Sequence, residues 1–236
     1  MSRCDSFVFR VAFSRFFSLL AVVAVLSACA PRAQAQFPVT RENPVVADSA
    51  ALKPPDNARV AIIEFADLEC PMCGHENPIL IEATRQYHVP WVRHDFPLRQ
   101  HVWSFQAAVN ARWFDTKSVD LGNEYRNQVF ANQNNLASLD DLRQFTSKFA
   151  ADHHIALPFL MDPQGKLAAE VKADYNLGMR LGVNETPTIW VVTNLTKGPG
   201  VPYIHAEDLS RLYTYLDEAE SATGSEGAKP ATHSHK

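Results

Sequence analysis

Cysteine is scarce in this chain, with four in 236 residues. Two of them, Cys4 and Cys29, fall in the N-terminal stretch, which leaves only Cys70 and Cys73 in the body. A disulfide scaffold needs several widely spaced pairs, so that class is excluded. A second Cys pair at zinc-ligand spacing is also missing, against a four-ligand structural zinc site. Past residue 35 no apolar run is long enough to span a membrane. Basic residues are few, and four of the 22 Lys+Arg but only one of the 26 Asp+Glu lie within residues 1–36. The body is therefore more acidic than the overall net charge of −4, and no basic stripe remains to bind nucleic acid. There is no internal repeat.

The first 35 residues read as an export signal. Arg3, Arg10 and Arg15 precede an uncharged apolar run from Phe16 to Ala30, the length of a signal h-region and short for a membrane span. Two processing sites compete. Ala33-Gln34-Ala35 is a small-x-small site that frees a soluble domain. Leu26-Ser27-Ala28-Cys29 has the form of a bacterial lipobox, which makes Cys29 a lipidated N-terminus. Either way the domain works outside the cytoplasm, in a periplasmic or equivalent compartment where disulfide chemistry is allowed.

Residues 36–57 read as an extended, Pro-containing lead-in. Val60 to Ala66 reads as a buried strand, Pro71 to Tyr87 as a helix kinked at Pro78, and Val89 to Phe96 as a strand. Helical spacing follows through Trp103, Phe114, Tyr125 and Val129. Ser138 with Asp141 marks the start of a helix over 139–151. A further helix is predicted from Gln164 to Leu181, a strand at Thr188 to Thr193, a Gly/Pro turn at Lys197 to Pro202, a short strand near Tyr203 and a closing helix from Glu207 to Ala219. Residues 221–236, with His233 and His235, read as a disordered tail. The order implies an α/β fold with a mixed central sheet, a parallel first pair, a closing hairpin, and an inserted helical subdomain at about 100–181.

Cys70 and Cys73 lie in the run from Phe65 to His75, where a strand gives way to a helix. A disulfide across so short a gap restricts little chain entropy, so the pair serves chemistry, either thiol–disulfide exchange or metal ligation. At a helix N-terminus, free N–H groups and the helix dipole favour a thiolate. Cys70 comes first and is placed at the exposed helix end as nucleophile. Cys73, one turn in and more buried, is the resolving thiol. Pro71 suits the first helical turn. Glu64 interrupts an apolar strand six positions before Cys70. It either points outward at a strand edge or is buried with a raised pKa, suited to exchange a proton with Cys73, and its position favours the second. Pro187, in Thr186-Pro187-Thr188, stands at a strand entrance, and the pattern leaves cis and trans open.

These residues resemble the DsbA-like branch of the thioredoxin superfamily. The resemblance runs through Glu64 to Cys73, Pro78, Asp95-Phe96-Pro97-Leu98, and Gly182 to Val191, and covers about 58–220. It implies a thioredoxin fold interrupted by a helical domain, a redox-active Cys70–Cys73 disulfide, and a cis Thr186–Pro187 bond beside it. It also implies that the Thr186 backbone pairs with an extended substrate segment. Met72 departs from strongly oxidising members, which carry a thiolate-stabilising histidine at that position. The activity implied is a thiol:disulfide oxidoreductase without cofactor, in the oxidase direction. Its clients are exported proteins with free thiols, and a membrane quinone-linked protein reoxidises it. Residues 36–57 are too few for the dimerisation domain of isomerases, which favours a monomer. The alternative is an exported copper-binding protein using Cys70, Cys73 and one of His75, His88, His94 or His101.

Overall fold

The computed structural model describes residues 49–195 and 203–224. The predicted leader with Cys29, the turn at 197–202 and the histidines of the tail lie outside these residues. Four strands form one sheet: β1 (Val60–Ala66), β2 (Trp91–Asp95), β3 (Thr188–Thr193) and β4 (Tyr203–His205), in the order β2-β1-β3-β4. β1 pairs parallel with β2 and antiparallel with β3, and β3 pairs antiparallel with β4. The mixed α/β sheet, its parallel first pair and its closing hairpin therefore stand as expected.

The helices are α1 (Pro71–Tyr87), α2 (Ser104–Asp115), α3 (Val119–Asn132), α4 (Leu139–Asp152), α5 (Lys166–Leu181) and α6 (Leu212–Thr223). Ser118 caps α3 and Ser138 caps α4, each hydroxyl accepting from the backbone N–H three residues on. α1 runs through Pro78, although the proline ring removes one helical donor.

Alternation along β1 sends side chains to two cores. Ile62 meets Leu80 and Ala83 of α1 and Leu212 and Leu216 of α6. On the other face Ile63 and Phe65 pack with Phe96, Leu181, Trp190 and Val192. Gly178 of α5 lies so close to this second core that a Cβ there would stand 2.6 Å from the Phe96 ring. α2 to α5 build a third core around Trp103, Phe114, Tyr125 and Phe149, and Leu68, Cys70 and Cys73 belong to it.

Two boundaries differ from the sequence reading. The lead-in is not simply extended, because Ser49–Ala51 forms a 3-10 turn and Leu52 is buried in the Phe65 core. Its side chain gains more from apolar burial than an exposed strand could give. The tail begins later, because α6 continues through Thr223 and stops at Gly224 in the left-handed region (φ 67°). No helix among the described residues is long and apolar enough to cross a membrane.

Candidate active site

The short segment between β1 and α1 carries the site. Asp67 is 1% exposed and organises it. Its Oδ1 accepts from the Glu69 N–H at 2.7 Å, and its Oδ2 accepts from the Leu98 N–H at 2.6 Å and the His101 ring at 2.7 Å. The Glu69 carboxylate accepts from the N–H groups of Trp103 and Ser104, at 2.7 and 3.0 Å, where α2 begins. The Gln133 amide, just past α3, donates to the carbonyls of Leu68 and Cys70, both at 2.9 Å. Gly74 makes room for it, since a Cβ there would lie 2.5 Å from Gln133 Oε1.

Cys70 is the N-cap of α1 and Pro71 its first residue. Both cysteines carry free thiols, the reduced form of the expected disulfide. Cys73 is fully buried, and Cys70 is buried too, at 6% exposure, less open than its place at a helix end implied. The cause is packing of the loop against the insert. The protonated Cys70 thiol donates to the Thr186 carbonyl at 3.2 Å. The Thr186–Pro187 bond is cis.

The two thiols are driven apart electrostatically. Cys70 is pulled down to about 5, first by the hydrogen bond from the Cys73 thiol. Burial opposes this, while the Thr186 side chain and the backbone N–H groups of Cys73 and Met72 add to it. Thr186 Oγ1 is buried with no other partner among the described residues, so its hydroxyl can serve the thiolate. Cys73 is pushed far up by burial, by its bond to Cys70 and by the charge of Glu64. The Asp67 N–H at 3.5 Å is a weak donor to its sulfur.

Glu64 is fully buried rather than turned outward at a strand edge. Desolvation raises it from 4.5 to about 7, partly offset by Arg93 and by a hydrogen bond from the Trp91 indole. Sequence reasoning missed both of these partners. They sit on β2 in parallel register with β1, Arg93 opposite Glu64 and Trp91 opposite Ile62. Glu76 of α1, a second half-buried acid, is raised chiefly by burial and was also missed.

Because the folded acid holds its proton more tightly than the unfolded one, Glu64 contributes stability that is full below about pH 4.5 and is lost as the pH rises through about 7. Glu64→Gln imitates the protonated acid at every pH. It should therefore be more stable than the parent above pH 7, by roughly 1–3 kcal/mol, with the gain vanishing near pH 4. Denaturant melts at both pH values check this, and an equal gain at each would remove desolvation as the cause.

The histidines of the metal reading do not converge on the cysteines. His75 and His88 are exposed, His94 is bonded to Asp174 at 2.9 Å, and His101 to Asp67. Among the described residues no three His, Cys, Asp or Glu side chains gather as a metal site. Met72 is 53% exposed beside the thiols.

Residues 55–199 match the family model described as thioredoxin. One curated relative, the Na(+)/H(+) antiporter NhaA 3 of Salinispora tropica, is 29% identical over 158 residues, which is 66% of this chain. The chain spans about a quarter (24%) of that relative's length. Among solved structures, Wolbachia pipientis alpha-DsbA1 superposes with a TM-score of 0.58 at 17% identity, covering 72% of this chain and 90% of that one. Pseudomonas aeruginosa DsbA2 gives 0.51 at 18% identity, with 70% and 91% covered. Proteus mirabilis ScsC, in a transitional conformation, gives 0.54 at 17% identity, with 75% and 76% covered. The likeness to these three is one of fold.

Proposed function

The chain belongs to the thioredoxin family, and on that premise we propose that it is an extracytoplasmic thiol:disulfide oxidoreductase that passes a Cys70–Cys73 disulfide to client proteins. The observation that carries this reading is the placement of the two thiols, Cys70 capping α1 with its sulfur 3.2 Å from the Thr186 carbonyl at the cis Pro187 bond and Cys73 fully buried one turn on, which holds the first low and the second high.

A client thiolate attacks Cys70 Sγ. The Cys70–Cys73 bond breaks, and Cys73 leaves with the electron pair and takes the proton of the Glu64 carboxyl. A second client thiolate then attacks the client sulfur of the mixed disulfide, and Cys70 departs as a thiolate. The client loses two electrons and gains a disulfide, and the enzyme ends as a Cys70 thiolate beside a Cys73 thiol; counted from the client dithiol, two protons leave the client, one returns by way of Glu64 to Cys73, and one goes to solvent. In the reverse sense Glu64 accepts the Cys73 proton, so that Cys73 can attack a mixed disulfide on Cys70.

The low Cys70 pKa supports the oxidase direction, because a stabilised leaving thiolate stabilises the reduced enzyme. Met72 cannot help here. The Cys73 thiol, the Thr186 hydroxyl and the α1 N–H groups take over the task that a histidine performs elsewhere. Thr186 and Pro187 offer their backbone to the extended client segment. The proposal extends to an exported monomer, soluble or held by a lipid on Cys29, whose clients are exported proteins with free thiols. A membrane quinone-linked protein takes its electrons.

The test is the redox equilibrium of the purified chain against glutathione. A potential near about −120 mV supports a disulfide donor, one near about −270 mV would reverse the direction, and no exchange at all would overturn the reading.

A further inference from the structure

The two carboxyl oxygens of Glu64 are not equivalent. Oε2 accepts from the Trp91 indole N–H at 3.0 Å and lies 3.8 Å from Arg93 Nε. Oε1 is buried and has no hydrogen-bond partner among the described residues. Arg93 forms an ion pair with Glu64 but no hydrogen bond, because Nε at 3.8 Å is too far, while Nη2 donates to Asn77 at 2.7 Å and Asn127 at 3.1 Å. Its guanidinium carbon stands 3.5 Å from the centre of the Trp91 ring. The indole is thus clamped by its own strand neighbour two residues on, with its N–H aimed at one oxygen of the acid. Side chains two apart on a strand share a face, and the parallel register brings that face of β2 beside Glu64.

We propose that Trp91 is a positioning residue for the exchange reaction: its indole N–H pins Glu64 Oε2 and so sets how tightly the carboxyl holds the proton it carries on Oε1. The inference rests on the reading of Glu64 as the proton partner of Cys73.

The charged and titratable groups around Glu64 are Arg93 on β2 and Cys70, Cys73 and Glu76 on α1. Arg93 and the indole favour the ionised acid, whereas Glu76 and Cys70 oppose it. The indole carries no charge and does not titrate, so its N–H can be deleted without changing any charge. A hydrogen bond to a buried carboxylate stabilises that form over the protonated one. Its loss should therefore raise the pKa.

Trp91→Phe keeps a ring under Arg93 and removes the N–H. Two quantities are read on the full chain. One is the infrared titration of the Glu64 carboxyl. The other is the pH dependence of glutathione release from a Cys70 mixed disulfide, the step in which Cys73 must lose its proton. Both midpoints should move to higher pH by about one to two units, the size of one hydrogen bond to a charged group, with the high-pH plateau unchanged. On the limb, release slows by about ten- to a hundredfold. In a Glu64→Gln background Trp91→Phe should leave release unchanged.

A Glu64 titration that stays in place in Trp91→Phe overturns the inference, and so does a limb shift that persists in the Glu64→Gln background. If the carboxyl titration moves and the release limb does not, Trp91 does set the acid, and it is the proton role of Glu64 that fails. The unmutated protein gives a check that needs no Trp91 variant. The Trp91 indole N–H resonance should titrate with the Glu64 midpoint, and should stop doing so in Glu64→Gln. An indole resonance indifferent to Glu64 overturns the inference.

Discussion

Cys70→Ser should lose disulfide exchange completely, whereas Cys73→Ser should accumulate client proteins joined covalently to Cys70. The difference follows from the two environments. Cys70 is the thiol that four donors favour as a thiolate, so in the proposed exchange it attacks and is attacked. Serine there has no comparable anion at neutral pH. Cys73 is fully buried, and in the proposed exchange it leaves or resolves. Without it the first step still occurs and the mixed disulfide has no internal attacker. Non-reducing electrophoresis of exported proteins, with each variant expressed in turn, separates the two outcomes. Equal adducts on both variants would abolish the assigned order of the pair, and unimpaired exchange in Cys70→Ser would abolish the site.

The second large effect is on stability. Arg112 of α2 donates to Asp95 of β2 at 2.6 Å and to Asp174 of α5, and lies 3.5 Å from Glu170. It ties the helical insert to the sheet at a point that is mostly out of water. Burial raises Asp95, against the pull of Arg126 and Arg112. For Asp174 burial works the same way, but His94 and Arg112 outweigh it and hold the acid low. Arg112→Leu leaves two enclosed carboxylates facing each other without their common cation. The expected loss is about 3–5 kcal/mol at neutral pH. The sign of the pH dependence discriminates the cause. Asp95 is already raised in the parent and rises further without Arg112, so protonation relieves the penalty and the gap to the parent should narrow as the pH falls toward about 4. Denaturant midpoints at the two pH values measure this, and a gap of constant size would assign the loss to packing of the arginine stem instead.

Much of this arrangement was legible before any coordinates, for local reasons. α1 and β3 begin and end where the sequence places them, because Cys-Pro opens the one and Pro187 precedes the other. Ser138 and Asp141 mark α4 through a cap made within four residues. Glu64 was conspicuous as the single charge in an apolar strand. The partners that tune its carboxyl were not. Trp91 and Arg93 read as ordinary members of a strand, and only the parallel register with β1 turns them toward the acid. Gln133 lies 63 residues from the carbonyl it serves and carries no local mark at all. Local chemistry is written in neighbouring residues, while these contacts depend on how the insert closes over the loop.

That closure bears on how such a protein can be rebuilt. In chain order the helical insert, α2 to α5 between β2 and β3, reads as a separate module grafted into a smaller domain. Here its first helix is capped by Glu69, the residue before the nucleophile, and Gln133 fills two carbonyls of the same loop. Splicing Phe96 directly to β3 to make a minimal domain would leave Cys70 standing on a frayed turn, with its carbonyl and that of Leu68 stripped of a side-chain donor. The boundary drawn along the chain between scaffold and addition is therefore not a boundary in the chemistry, and the two halves can only be exchanged together with the residues from Asp67 to Gly74 that they share.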